Sequence, residues 1–146
     1  MDGELRRQTL ADLLHRSAKR FPNKSAIICG DTTLSYAAFD ALCNRLAAGL
    51  AARGVHKGTR VAILSRNSHA FAALRFALAR LGAVLVPINF MLKAEEAAFI
   101  LRHAGAELLA TDSGLAEVAR AAVRSIPRCV SLSGFRQKRK PRRCPI

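Results

Sequence analysis

Apolar positions along the chain alternate between two periods. Leu10, Leu13, Leu14, Ala18 and Phe21 recur at helical spacing behind Thr9, and Asp12 stands three residues after that threonine, an approximate capping box. "SAIICG" and "TTLSY" then read as two short strands around a Gly30-Asp31 turn. Ser35 is placed to cap a second helix, whose stripe is Phe39, Leu42, Cys43, Leu46 and Leu50 and whose end is Gly54. "RVAIL" is a buried-type strand. Asn67 or Ser68 opens the next helix, with Phe71, Leu74, Leu78 and Leu81 on one face and Gly82 as its stop, and "AVLVPI" is the strand after it. The alternation continues with a helix from about Ala94 to His103 stopped at Gly105, a strand "ELLAT", and a helix over Leu115–Arg124.

Short apolar strands without clean alternation, separated by amphipathic helices that end in glycine, are the mark of βαβ units in a sheet covered on both faces. The pattern predicts an α/β fold: a partial doubly wound, mainly parallel sheet with flanking helices, its crossovers right-handed.

Composition refines this. The 146 residues are 51% apolar but only 5% aromatic, without Trp, so the core is expected to be aliphatic. The net charge of +14 is unevenly spread. Residues 1–117 carry 15 Lys and Arg against 10 Asp and Glu, a balance of +5; residues 118–146 carry 9 basic and no acidic residues, a balance of +9. A charge argument about partners therefore concerns the tail, not the body. "MDGELRRQTL" lacks the apolar core of a secretory signal, and no run of about 18 apolar residues occurs, so a cytoplasmic location without a transmembrane segment is expected. Cys29, Cys43, Cys129 and Cys144 form no C-x-x-C pair and read as reduced thiols.

Catalytic constellations are missing from the pattern. His15, His56, His69 and His103 are scattered and make no H-E-x-x-H pair, and no G-x-S-x-G elbow occurs. Glu96 and His103 share a helix two turns apart, which reads as a solvated face. "TDSGL" and "SLSGF" each hold one glycine with no lysine following, and read as a helix start and a turn rather than phosphate loops. The sequence thus assigns no catalytic residue and no metal ligand, and it leaves the cofactor-binding residues unknown.

The ordered motifs nevertheless resemble a known family. Leu34-Ser35-Tyr36 followed by Phe39 is similar to an "L-T/S-Y-x-E-L" element of the adenylate-forming superfamily, with Phe39-Asp40 in place of Glu-Leu. "GVHKGTRVAILSRNS" is similar to its "G-V-x-x-G-D-R-V-A-I-x-x-x-N-S" loop, with Thr59 where Asp is common. Leu81 to Asn89 resembles its "G-A-x-x-V-P-I/L-N/D" element, and "PINFMLKAEEAAFIL" leans towards the acyl-CoA synthetase branch. Lys93 replaces the usual Thr or Ser cap, so that helix start is expected to be weaker by about 1 kcal/mol.

The resemblance implies the N-terminal portion of an AMP-binding domain over residues 1–134, with ATP, Mg²⁺ and coenzyme A as cofactors of the full-length family and a fatty or other carboxylic acid as substrate. The family's "S/T-S/T-G-T/S-T-G-x-P-K" phosphate loop and its later lysine do not occur in these residues. The expectation is therefore a truncated, by itself inactive acyl-CoA synthetase. Its sheet edges and helix faces would be left uncovered, giving marginal stability, and a separately encoded remainder of the enzyme is a possible partner. After Gly134 the composition turns abruptly to Arg, Lys and Pro, as out-of-frame reading of a GC-rich gene can produce, so 135–146 is expected to be a basic, disordered tail. The competing reading is a non-enzymatic binding module whose tail contacts nucleic acid or an anionic surface. Phe135 is the tail's one stacking group, which makes nucleic acid the weaker choice.

Overall fold

The computed structural model describes residues 9–126 and 129–135. Helix α1 (Leu10–Arg20) begins with the expected box: Asp12 N–H donates to Thr9 Oγ1 at 3.3 Å, while Thr9 N–H donates to Asp12 Oδ2 at 2.8 Å. Strands β1 (Ser25–Cys29) and β2 (Thr32–Ser35) pair as an antiparallel hairpin about Gly30-Asp31. Ser35 Oγ accepts from Ala38 N–H at 3.2 Å and starts α2 (Tyr36–Ala51).

Four parallel strands then form the main sheet: β3 (Arg60–Leu64), β4 (Val84–Ile88), β5 (Leu108–Asp112) and β6 (Val130–Phe135), in the order β4-β3-β5-β6. Helix α3 (His69–Leu81) connects β3 to β4, α4 (Ala94–Ala104) connects β4 to β5, and α5 (Ala116–Val123) follows β5 after a 3-10 turn over Ser113–Leu115. Of the two caps expected for α3, Ser68 serves: its Oγ accepts from Phe71 N–H at 3.1 Å. Helices α3 and α4 stop at Gly82 and Gly105, both in the left-handed conformation.

Alternation along the central strands sends side chains to two opposite cores. Val61 and Ile63 of β3, with Leu108 and Ala110 of β5, pack against Leu74, Ala77 and Leu78 of α3 and Leu50 of α2. Ala62, Leu64 and Leu109 face the other way, onto Ala97 and Leu101 of α4 and Ala119 of α5. The sheet is therefore covered on both faces, as predicted. Each fully buried leucine contributes roughly 1.5–3 kcal/mol relative to an exposed one. A third cluster, Leu14, Phe39, Cys43 and Ala73, seats α1 and the hairpin on α2 and α3.

Pro87 lies inside β4 opposite Ile63, as the strand "AVLVPI" implies; β4 is an edge strand of this sheet among the described residues, where a missing N–H leaves no ladder bond unmade. Two details depart from the sequence reading. "SLSGF" is strand, not turn, because its backbone pairs in parallel with β5 from Leu109 to Asp112. Phe135, placed in the tail by composition, belongs to this strand; Arg136 to Ile146, the rest of the expected tail, lie outside the described residues.

A buried polar clasp holds the helical layer together. Asp40 on α2 is 9% exposed and accepts from Arg80 of α3, which also donates to Asn44; His15 of α1 approaches Asp40 Oδ2 at 3.4 Å. The resemblance-based match of Phe39-Asp40 to an unusual dipeptide thus has a local reason. Phe39 fills the third core, edge-on to Phe76 at 5.6 Å, and Asp40 supplies the counter-charge for Arg80.

Candidate functional site

The strand order places one reversal in the sheet. From β3 the chain steps to β4 on one side, then returns across β3 to β5 and on to β6. In open parallel sheets ligands bind beyond the carboxyl ends of the strands at such a reversal, here between β3 and β5. Ser65 and Arg66 leave β3 at that point, Asp112 ends β5, and Asn89, Phe90 and Met91 leave β4 beside them.

Asp112 organises this crevice. Its Oδ2 accepts from Arg66 N–H at 3.0 Å and from Ser65 Oγ at 3.3 Å, joining the two strand ends. Its Oδ1 is buried without a hydrogen-bond partner, 3.9 Å from Arg66 NH1. The Arg66 guanidinium, half exposed, lies over the Phe90 ring at 5.6 Å and close above Gly114, where a Cβ would stand 3.1 Å from it. Asn89 Oδ1 accepts from Met91 N–H at 3.0 Å, a local turn that carries the chain from β4 towards α4. That helix starts without a side-chain cap at Lys93, as expected; Glu96 Oε2 instead accepts from the Lys93 N–H at 2.8 Å.

Between β3, β5 and the start of α3 the structure leaves a cavity of about 10 Å³, lined by Ile63, Ser65, Ala70, Phe71 and Thr111 among others. That is about the space of one water molecule. A larger open groove of about 620 Å³ lies at the opposite, amino ends of the strands, beside Arg60, Arg102, Glu107 and Ser125. Its polar groups are engaged with one another: Glu107 Oε1 accepts from Arg60 N–H at 3.1 Å, and Arg102 NH1 donates to Ser125 Oγ at 3.1 Å.

The residues weighed from the sequence do not converge. His15 faces Asp40, His56 contacts the Lys57 carbonyl, His69 opens α3 and His103 stacks on Phe99 with ring centroids 5.9 Å apart. Among the described residues no three His, Cys, Asp or Glu side chains are grouped to hold a metal ion. "TDSGL" forms the end of β5 and the helix start expected of it. Cys43 is fully buried and burial pushes its thiol up to about 11; Cys129 is pushed up for the same reason. Neither offers a thiolate near neutral pH. Sequence reasoning missed Asp112 and Arg66 as a pair. Its only available signal was the place of each at the carboxyl end of a predicted strand.

A model of the family described as AMP-binding enzyme matches residues 14–143, past Gly134 and into the basic run. Over 79 residues, 54% of this chain and 16% of the relative, the chain is 47% identical to the long-chain-fatty-acid–CoA ligase FadD13 of Mycobacterium tuberculosis. It is 40% identical over 105 residues to a feruloyl-CoA synthase of an Amycolatopsis species, covering 72% of this chain and 21% of that one. The solved N-terminal domain of FACL13 from Mycobacterium tuberculosis is similar with a TM-score of 0.82 at 33% identity, covering 87% of this chain and 33% of that one. The o-succinylbenzoate CoA synthetase of Bacillus subtilis is similar with a TM-score of 0.76 at 30% identity, covering 86% and 31%. The chain spans about a fifth of the length of the curated relatives it matches.

Proposed function

This chain belongs to the AMP-binding enzyme family, and from that premise we propose that it is the first portion of an ATP-dependent acyl-CoA synthetase. The whole enzyme would join a carboxylic acid to AMP with release of pyrophosphate, then pass the acyl group to the thiol of coenzyme A. The substrate would be an aliphatic or aryl acid, in keeping with the fatty-acid and feruloyl names of the relatives, and the site of action cytoplasmic. No helix among the described residues is long and apolar enough to cross a membrane.

One observation carries the reading of what these residues contribute. At the reversal point, where a nucleotide would be met, the ends of β3 and β5 are tied by the Asp112 carboxylate. A triphosphate needs clustered N–H donors, a lysine and Mg²⁺. Asp112 presents the wrong charge, and its partner Arg66 is already engaged. These residues do not fit ATP. Their role is structural: β3, β4 and β5 with their helices set one wall of a site whose chemistry would come from other segments. The test is ATP–pyrophosphate exchange by the purified 146-residue chain with fatty and aryl acids. No exchange above background is expected, and robust exchange with any acid would overturn the reading.

A further inference from the structure

The outer side of α4 carries a charge pattern that is symmetric about one exposed ring. Ala97, Ala98 and Leu101 form the inner side and are buried in the core that β3 and β5 share with the helix. Glu95, Glu96, Phe99, Arg102 and His103 are all exposed, Phe99 by 62%. At about 3.6 residues per turn these five lie within about 60° of the Phe99 direction, so they form one stripe. Glu95 and Glu96 stand four and three residues before Phe99, and Arg102 and His103 stand three and four after it. The acids thus occupy the first turn of the helix and the bases the last. Each engaged group keeps capacity to spare. Glu96 uses Oε2 on the Lys93 N–H, and Arg102 uses NH1 on Ser125 Oγ, which leaves Glu96 Oε1 and the second nitrogen of the arginine fork.

We propose that this stripe is a contact between two copies of the chain, α4 lying antiparallel to α4 about a two-fold axis beside Phe99. Reversing the helix direction brings Glu95 of one copy along Arg102 of the other and Glu96 along His103, and the two-fold repeats both pairs. The two Phe99 rings meet at the centre, in reach of an offset stack. Parallel pairing would set Glu95 against Glu95, and like charges oppose it. The ring burial supplies the affinity, whereas the exposed ion pairs fix the orientation. A contact made by one 11-residue helix is small, so the dimer is weak, in the micromolar-to-millimolar range.

The experiment is sedimentation of the full chain from micromolar to near-millimolar concentration, with far-UV circular dichroism to follow the fold. The mass should rise with concentration and stop at two copies. Phe99→Ser, at an exposed position, should weaken dimerisation about tenfold while the spectrum is unchanged. Glu95→Lys and Arg102→Glu should each weaken it as well, because each sets like charges together twice. An equal mixture of those two variants should associate about as tightly as the parent, since every substituted site then meets its opposite charge on the other variant. Removing residues 136–146 should change none of these results. A chain that stays monomeric throughout, association equal with and without Phe99, a mixture no stronger than its components, or a mass that grows past two copies would each overturn the proposal.

Discussion

Gly49→Ala and Gly82→Ala place the same methyl group at two glycines with opposite backbone demands. Gly49 lies inside α2, where the new Cβ would meet nothing closer than Arg53 NH1 at 3.7 Å, an ordinary contact. Alanine there removes glycine's excess unfolded-state freedom and should stabilise by about 0.5–1 kcal/mol. Gly82 ends α3 at φ 66° and ψ 20°, and its Cβ would stand 3.1 Å from Lys57 Cγ. The lysine stem is flexible and can give way, so the left-handed backbone sets the cost, about 1–2 kcal/mol. At this chain length 1 kcal/mol moves a thermal midpoint by about 2–4 °C. Gly49→Ala should therefore melt about 1–4 °C higher than the parent and Gly82→Ala about 2–8 °C lower, read by far-UV circular dichroism at low micromolar concentration. The reasoning fails if Gly82→Ala melts at or above the parent temperature, or if Gly49→Ala melts below it.

Three further outcomes are expected. Arg80→Met leaves Asp40 nearly buried beside His15 alone and should destabilise by about 3 kcal/mol in urea titration, whereas Asp40→Leu with Arg80→Met should recover most of that loss, since Arg80 Nε is itself buried without a partner; additive losses would refute this. The hydrogen bonds from Thr9 backbone and side chain hold Asp12 below its ordinary 3.8, so its contribution to the start of α1 is present above that pH and lost as pH falls through the lowered value. Corrected for the intrinsic pH dependence of exchange, the protection of the Asp12 amide at the start of α1 should fall in acid, and Asp12→Asn should remove that fall; an unchanged profile in the variant would contradict it. Val84, Met91 and Phe99 are exposed on or near the β4 edge, so sedimentation should show concentration-dependent association, and a monomer with a sharp two-state melt at all concentrations would argue against it.

Elements governed by local pattern were legible in the sequence: the Thr9 box, the Ser35 and Ser68 caps, the stops at Gly82 and Gly105, and the strand "RVAIL" to the residue. The family resemblance was legible for the same reason, since its motifs are turns and strand ends with fixed residue demands. What escaped was set by partners far along the chain. Asp40 meets Arg80 across 40 positions, and Asp112 meets Arg66 across 46. "SLSGF" has the composition of a turn, yet pairing with β5 overrides local preference, as tertiary context does for strands generally.

The strand order also sets a timetable for synthesis. The inner strands β3 and β5 are neighbours in space, but β4 and its flanking helices separate them in the chain. A nascent polypeptide that has released residues through Ile88 can zip β3 to β4, yet the opposite edge of β3, with Val61 and Ile63 on one side and Ala62 and Leu64 on the other, has no mate until Leu108 emerges. At about 5–20 residues per second that exposure lasts about one to four seconds on each ribosome. Through that window an aliphatic ribbon with open backbone groups stands ready to capture its twin on a neighbouring ribosome, so chaperone demand should peak before β5 is made rather than at chain release.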